Sequence, residues 1–158
     1  IAFKADGQSD LSKDFIAYIM SAEGQTIINE HGYVGSNDAA AYEANGAEGK
    51  LVVGGSSSVA PVMEKLIEAY KAVNPKADIE LQTTDSTTGM TAAIDGTYDI
   101  GMASRELKDD ETAQLTGTAI ALDGIAVVVN PANTIDDLSM DQIKGIYVGD
   151  ITDWGDLA

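Results

Sequence analysis

Three short stretches carry the residue types that can hold a small oxyanion. The first is Gly54-Gly55-Ser56-Ser57-Ser58, the second Thr84-Asp85-Ser86-Thr87-Thr88-Gly89, and the third Ala103-Ser104-Arg105. Serine and threonine hydroxyls and backbone N–H groups are donors without formal charge. Arg105 adds a planar, permanently charged fork that fits an oxyanion. Where such a turn opens a helix, the free N–H groups and the helix dipole favour a negative ligand. Plainer readings compete. The same turns serve as ordinary helix N-termini with nothing bound, and Arg105, beside Glu106 and further acids, also fits a surface ion pair of small value.

The elements around these turns must place them together. An apolar run, Leu51-Val52-Val53, leads into the first turn, and Val59, Met63, Leu66, Ile67, Tyr70 and Val73 lead out of it at helical spacing. Asn74-Pro75-Lys76 ends that helix. Asp78 to Thr83 alternates like a strand ahead of the second turn, and a short helix from Met90 to Asp95 follows it. Tyr98 to Met102 reads as the strand before the third turn. The charged residues 106–112 suit an exposed helix, and Thr118 to Leu122 and Gly124 to Asn130 look strand-like. Ser139 to Gly145 reads as a helix with Ser139 as N-cap and Gln142 as its capping-box partner. This alternation predicts an α/β fold with a largely parallel central sheet flanked by helices. Ligands of such sheets bind beyond the carboxyl ends of the strands. All three turns follow strands, so they are expected to line one edge.

The beginning of the chain is organised differently. Phe3 looks like a strand end and Asp6 to Ser9 like a turn. Leu11, Phe15, Ile16, Ile19, Met20, Ile27 and Ile28 form one face of a long helix. Ser9 or Asp10 is its expected N-cap, Gly32 its stop, and Gly24 a point where it can divide. His31, the single histidine, fits a last helical turn better than a catalytic or metal role. Residues 35–49 are rich in Ala, Gly, Asn, Asp and Glu without a period and read as a linker, with one helical turn possible at Ala39 to Tyr42. The expected divisions are 1–34, 35–49, 50–130 and 131–158.

Composition removes several classes of function. With no cysteine, disulfides, thiolate chemistry and cysteine metal sites are excluded. A net charge of -17 argues against nucleic acid and anionic membranes as partners. Salt screening over about 8 Å largely uncouples distant surface carboxylates from a shielded pocket, so local donors can still decide anion affinity. No Walker motif ends the first turn, and neither Gly-x-Gly-x-x-Gly nor Gly-x-Ser-x-Gly occurs there, which disfavours nucleotide binding and a serine nucleophile. No catalytic residue, cofactor or metal is expected. The acidic runs Asp109-Asp110-Glu111 and Asp136-Asp137 read as solvated faces. Ile1-Ala2-Phe3-Lys4 is not a signal peptide and lacks an initiator Met, which predicts a processed product or a fragment.

The same stretches carry a family resemblance. Gly55-Ser56-Ser57-Ser58-Val59-Ala60-Pro61-Val62-Met63-Glu64-Lys65-Leu66 resembles the first motif of the phosphate-binding proteins of bacterial phosphate ABC transporters. Asp99 to Leu107 resembles their next signature, Ala121 to Pro131 their crossover strand, and Gly149 to Trp154 the start of their second lobe. The resemblance implies a type II periplasmic-binding-protein fold whose lobes close on inorganic phosphate, with most of the second lobe missing here. It implies an exported protein, at the cell surface or in the periplasm, that feeds a transporter permease. Family ligands map onto Ser57 and Ser58 and onto Ser86 with Thr87. With the neighbours read from the turns, the expected site is Ser56, Ser57, Ser58, Ser86, Thr87, Ser104 and Arg105. Arg105 stands where many relatives have an Asp that accepts the phosphate proton, so selectivity over sulfate does not follow at that position. That departure also motivates an alternative, a non-transport oxyanion sensor or cell-surface interaction module on the same fold. Phe15 to Ile28 and Gly32-Tyr33-Val34 resemble the family's C-terminal helix yet precede its N-terminal motif. Either two units in tandem, the favoured reading, or a permuted chain is expected, with residues 1–34 completing the first lobe in this chain or by exchange with another copy.

Overall fold

The computed structural model describes residues 1–157 and resolves into two compact units, Ile1–Gly124 and Ile125–Ala158. In the first, the apolar run at residue 51 becomes the inner strand β2 (Gly49–Ser56), with Leu51 and Val53 fully buried. Helix α3 (Ala60–Val73) follows and returns the chain to β3 (Ala77–Thr84), which pairs parallel with β2 along its whole length. After α4 (Ser86–Asp95), β4 (Ile100–Met102) pairs parallel on the other side of β2. This is the crossover logic expected of alternating strands and helices. A one-turn helix, α5 (Asp109–Thr112), and a two-residue strand, β5 (Thr116–Gly117), come next.

Beyond β4 the sheet is mixed. Strand β1 (Ala2–Phe3) lies antiparallel between β4 and β5, giving the order β3, β2, β4, β1, β5. No helical crossover joins β1 to either neighbour, so nothing requires it to run parallel. The strand expected at Thr118 to Leu122 reduces to one antiparallel bridge, Leu122 to Val34. Among the described residues, 124–130 pair with no strand, and Ile125 and Val128 are almost wholly exposed. A β pattern without a partner edge has nothing to satisfy its backbone groups.

The amphipathic pattern near the start folds as two helices, α1 (Asp10–Ile19) and α2 (Ala22–Glu30). Ser9 caps α1, accepting from the Ser12 N–H at 3.1 Å. The division falls at Met20-Ser21 rather than at Gly24. Ser21 Oγ donates to the Tyr18 carbonyl at 2.7 Å and accepts from the Gly24 N–H at 3.3 Å, closing one helix and opening the next. Gly24 matters for another reason. A Cβ there would lie 2.3 Å from the Tyr18 carbonyl oxygen, so only glycine allows the sharp turn between the helices.

Both helices pack on α3 over a core that includes Phe15, Met63, Leu66 and Tyr70, all 0% exposed. Residues 35–48 form no regular element, and the helical turn at Ala39 to Tyr42 does not form. They run as a strap across this layer. The Ala22 N–H donates to the Ala40 carbonyl (2.8 Å), the Tyr42 N–H to Glu23 Oε2 (2.8 Å), and Asn74 Nδ2 to the Ala47 carbonyl (2.7 Å).

In the second unit, α6 (Met140–Val148) keeps the expected capping box and runs on to Gly149, whose φ is +84°. Val127, Val129, Ile143, Ile146, Tyr147 and Trp154 line an apolar hollow of about 750 Å³ in this unit.

Candidate oxyanion site

Parallel register puts the three polar turns at one edge. Ser56, the last residue of β2, is paired with Thr84 at the end of β3, and Gly55 with Met102 at the end of β4. The chain therefore leaves three adjacent strands at the same level. Gly55 has φ +136°, and a Cβ on it would lie 2.3 Å from the Met102 carbonyl oxygen. A Cβ on Gly89 would lie 2.7 Å from the Gly55 Cα. These glycines let α4 rest directly on the backbones of β2 and β4, which brings its N-terminus to the strand ends.

The second and third turns touch. Ser86 Oγ accepts from the Ser104 N–H at 3.2 Å and lies 3.4 Å from Ser104 Oγ. Ser57 and Ser58 are exposed on the neighbouring turn, whereas Ser56 is buried. Tyr33 steadies that first turn, its hydroxyl donating to the Ser58 carbonyl at 2.9 Å.

The two helix N-termini differ. Val59 occupies the N-cap of α3 and offers no side-chain cap, with a proline in the first turn. The N-terminus of α4 is already occupied: Asp85 Oδ1 accepts from the Thr87 and Thr88 N–H groups at 2.8 and 3.0 Å, and Oδ2 from the Thr88 hydroxyl at 2.6 Å. These bonds, that from the Thr88 hydroxyl foremost, hold the Asp85 carboxyl below the usual range. At Thr87 the side chain is thus the free donor, since its amide is taken.

Arg105 is neither a loose surface charge nor wholly free. Its Nη1 donates to Glu111 Oε2 (2.7 Å) and to the Glu106 carbonyl (2.9 Å), and its Nη2 to Glu111 Oε1 (2.8 Å). Glu111 is only 5% exposed. This corrects the expectation of a solvated acidic helix over 106–112: only Asp109–Thr112 is helical, and its glutamate points inward. Glu111 Oε2 also accepts from the Lys108 N–H at 2.8 Å. The hydrogen bonds from Arg105, outweighing the opposing effect of burial, bring the Glu111 carboxyl down to about 2, and Glu111 in turn raises Arg105 above its usual value. Of the five guanidinium N–H donors, three are engaged; the Nε–H and one Nη2–H remain, side by side on one edge. Such an edge matches two oxygens of an oxyanion.

Sequence reasoning missed Glu111 and Tyr33. Nothing in an acidic triplet says which member turns inward, and nothing in Tyr33 says that it reaches a turn 25 positions later. Among the described residues no group of three or more His, Cys, Asp or Glu is placed to hold a metal, and no helix is long and apolar enough to cross a membrane.

The mixed sheet flanked by helices, with three polar turns at its strand ends, has the architecture of one lobe of a PBP-like fold. Residues 40–158 match the family model of the PBP superfamily domain, and the chain belongs to that family. It is 51% identical over 159 aligned residues to the phosphate-binding protein PstS 2 of Streptococcus agalactiae, covering 100% of this chain and 54% of that protein. The phosphate-binding protein PstS of Bacillus subtilis is 32% identical over 125 residues, covering 77% of this chain and 42% of the relative. Among solved structures, a phosphate ABC transporter phosphate-binding protein from Streptococcus pneumoniae superposes with a TM-score of 0.88 at 40% identity, over 99% of this chain and 61% of that one. A substrate-binding protein from Clostridium perfringens, solved with bound phosphate, gives a TM-score of 0.56 at 43% identity over 69% of this chain and 45% of its own. The chain spans about half the length of the curated relatives it matches.

Proposed function

We propose that this chain supplies the first-lobe half of an inorganic phosphate site in a substrate-binding protein that serves an ABC transporter permease and works outside the cytoplasm, at the cell surface or in the periplasm. The observation that carries the reading is the meeting of the second and third turns through Ser86 and Ser104 beside the uncapped start of α3. The donors assigned to the anion are the Ser57, Ser58, Ser86, Thr87 and Ser104 side chains, the amides opening α3, and the free edge of Arg105. Ser56, being buried, contributes through its place at the end of β2. Neutral donors in a pocket suit an anion on a protein of net charge -17. The function is binding and delivery, not catalysis.

The order of segments fits one permuted unit better than two in tandem. The S. agalactiae alignment runs through this whole chain, so residues matching 1–34 precede the first turn there too. In that relative 159 residues are 54% of the length, and in the B. subtilis protein 125 are 42%, so the two are of nearly equal size. On this reading residues 1–34 and 50–130 form lobe one, 35–49 joins them, and 131–158 opens lobe two. Exchange of residues 1–34 between copies would require drawing β1 out from between its two neighbours.

The test is titration calorimetry of the full-length parent with phosphate and with sulfate. Saturable heat with phosphate is expected; no heat with either oxyanion overturns the assignment.

A further inference from the structure

We propose that Glu111 is a positioning residue of this site: it holds Arg105 so that one edge of the guanidinium faces the oxyanion, and it cancels the charge that Arg105 would otherwise present. The inference rests on the reading of Arg105 as an anion donor.

The geometry of the pair carries it. Glu111 takes the end of the guanidinium, one N–H from each of Nη1 and Nη2, through two short parallel bonds. The Glu106 carbonyl takes the other Nη1–H. The donors left are those on the Nε–Nη2 edge, the second of the two edges on which a guanidinium can make a paired contact. Glu111 is itself fixed. Its carboxylate accepts from the Lys108 N–H, its carbonyl accepts from the Leu115 N–H at 2.8 Å, and Leu115 is buried in a small apolar cluster with Ala2, Met90 and Ala93. Arg105 is thus anchored to the packed end of the sheet rather than to the turn alone.

The chemical consequence concerns discrimination. A free arginine attracts any anion that reaches it, in proportion to charge. An arginine whose charge is offset by a buried carboxylate contributes mainly through the direction of its remaining N–H groups. The site then selects by the placement of oxygens, and the acids around Arg105, Asp85 and Asp110 among them, add to the offset.

A double-mutant cycle on the full-length protein tests this, read as phosphate affinity by calorimetry with thermal unfolding as the fold control. In the wild-type background Glu111→Gln is expected to weaken phosphate binding about tenfold, because the guanidinium edge is no longer held in place and that loss outweighs the attraction of the uncancelled charge. In an Arg105→Ala background the same change is expected to do nothing, because Glu111 acts through Arg105. Equal weakening in both backgrounds means a purely structural role and overturns the proposal, as does unchanged affinity in Glu111→Gln. If Glu111→Gln does not fold, Glu111→Asp keeps the charge and withdraws the fork; a smaller loss seen in the wild-type background and absent from Arg105→Ala supports the proposal, and no loss overturns it. Unchanged affinity in Arg105→Ala removes Arg105 as a donor and this proposal with it, while phosphate binding by the serine turns still stands. The absence of phosphate heat in the wild type is the separate failure of the function itself.

Discussion

Asp14 and Glu111 are both buried carboxylates of the first compact unit, 3% and 5% exposed, but they are satisfied by different chemistry. Glu111 meets a cation, Arg105, beside the third turn. Asp14 lies on α1, where one oxygen, Oδ2, accepts from the hydroxyls of Tyr42 and Tyr70, each at 2.6 Å. Asn74 extends that network by donating to the Tyr70 hydroxyl at 2.9 Å. Burial first, and then the bond to Asp14, push the Tyr70 hydroxyl up to about 12 and raise Tyr42 in the same way. The phenols therefore stay protonated donors, and their rings pack with Phe15 and Tyr18 at centroid distances of 5.0 to 5.2 Å and with each other at 6.2 Å. The Asp14 network fastens α1, the strap and α3 into one layer. The Glu111 pair instead fixes one side chain and removes its charge from the balance. A buried carboxylate can be met by neutral donors, as at Asp14, or by a cation, as at Glu111.

The contrast can be broken at either carboxylate. The largest effect is expected for Asp14→Ala. It strands the buried Tyr70 hydroxyl, takes the acceptor from the half-buried Tyr42 hydroxyl and opens a void, and should lower the free energy of unfolding by about 3 kcal/mol. Urea unfolding read by far-UV circular dichroism checks this; a loss under about 1 kcal/mol would mean that the phenols find other acceptors.

A smaller effect, on the order of 1 kcal/mol once solvent screening at the partly exposed Arg105 is counted, is expected from Glu111→Gln at neutral pH. Its pH dependence is the sharper test. The folded-state value of Glu111, about 2, lies below its ordinary 4.5, so its stabilisation is complete above about 4.5 and is lost as the pH falls toward 2. The wild type and Glu111→Gln should therefore converge in stability across that window, and parallel curves would refute the assignment. The smallest effect, about 0.5 to 1 kcal/mol in the same urea assay, is expected for Tyr42→Phe, since Tyr70 continues to donate to Asp14.

Much of the lobe was legible in sequence because its signals are local. The apolar run before Gly54 and the helical spacing after Val59 mark β2 and α3, and Ser9 and Ser139 cap as their types suggest. The division of the first helical pattern was less legible. Gly24 drew attention as a weak helix former, but the break belongs to Ser21, whose hydroxyl serves both helix ends. The antiparallel β1 was invisible for another reason: two residues carry no period, and their direction depends on which neighbours the fold supplies.

The same limit separates the parts of the candidate site. Sequence alone determined that three turns carrying hydroxyl donors follow strands, two of them also glycine-containing, because turn chemistry and strand pattern are properties of a few adjacent residues. Tertiary structure decided that Ser86 would touch Ser104 across 18 positions, that glycine contacts would bring α4 onto the sheet, and that Glu111 would turn inward to take Arg105. A charged side chain finds its partner through the packing of whole elements, and that packing places the pair where burial makes their mutual bond worth keeping.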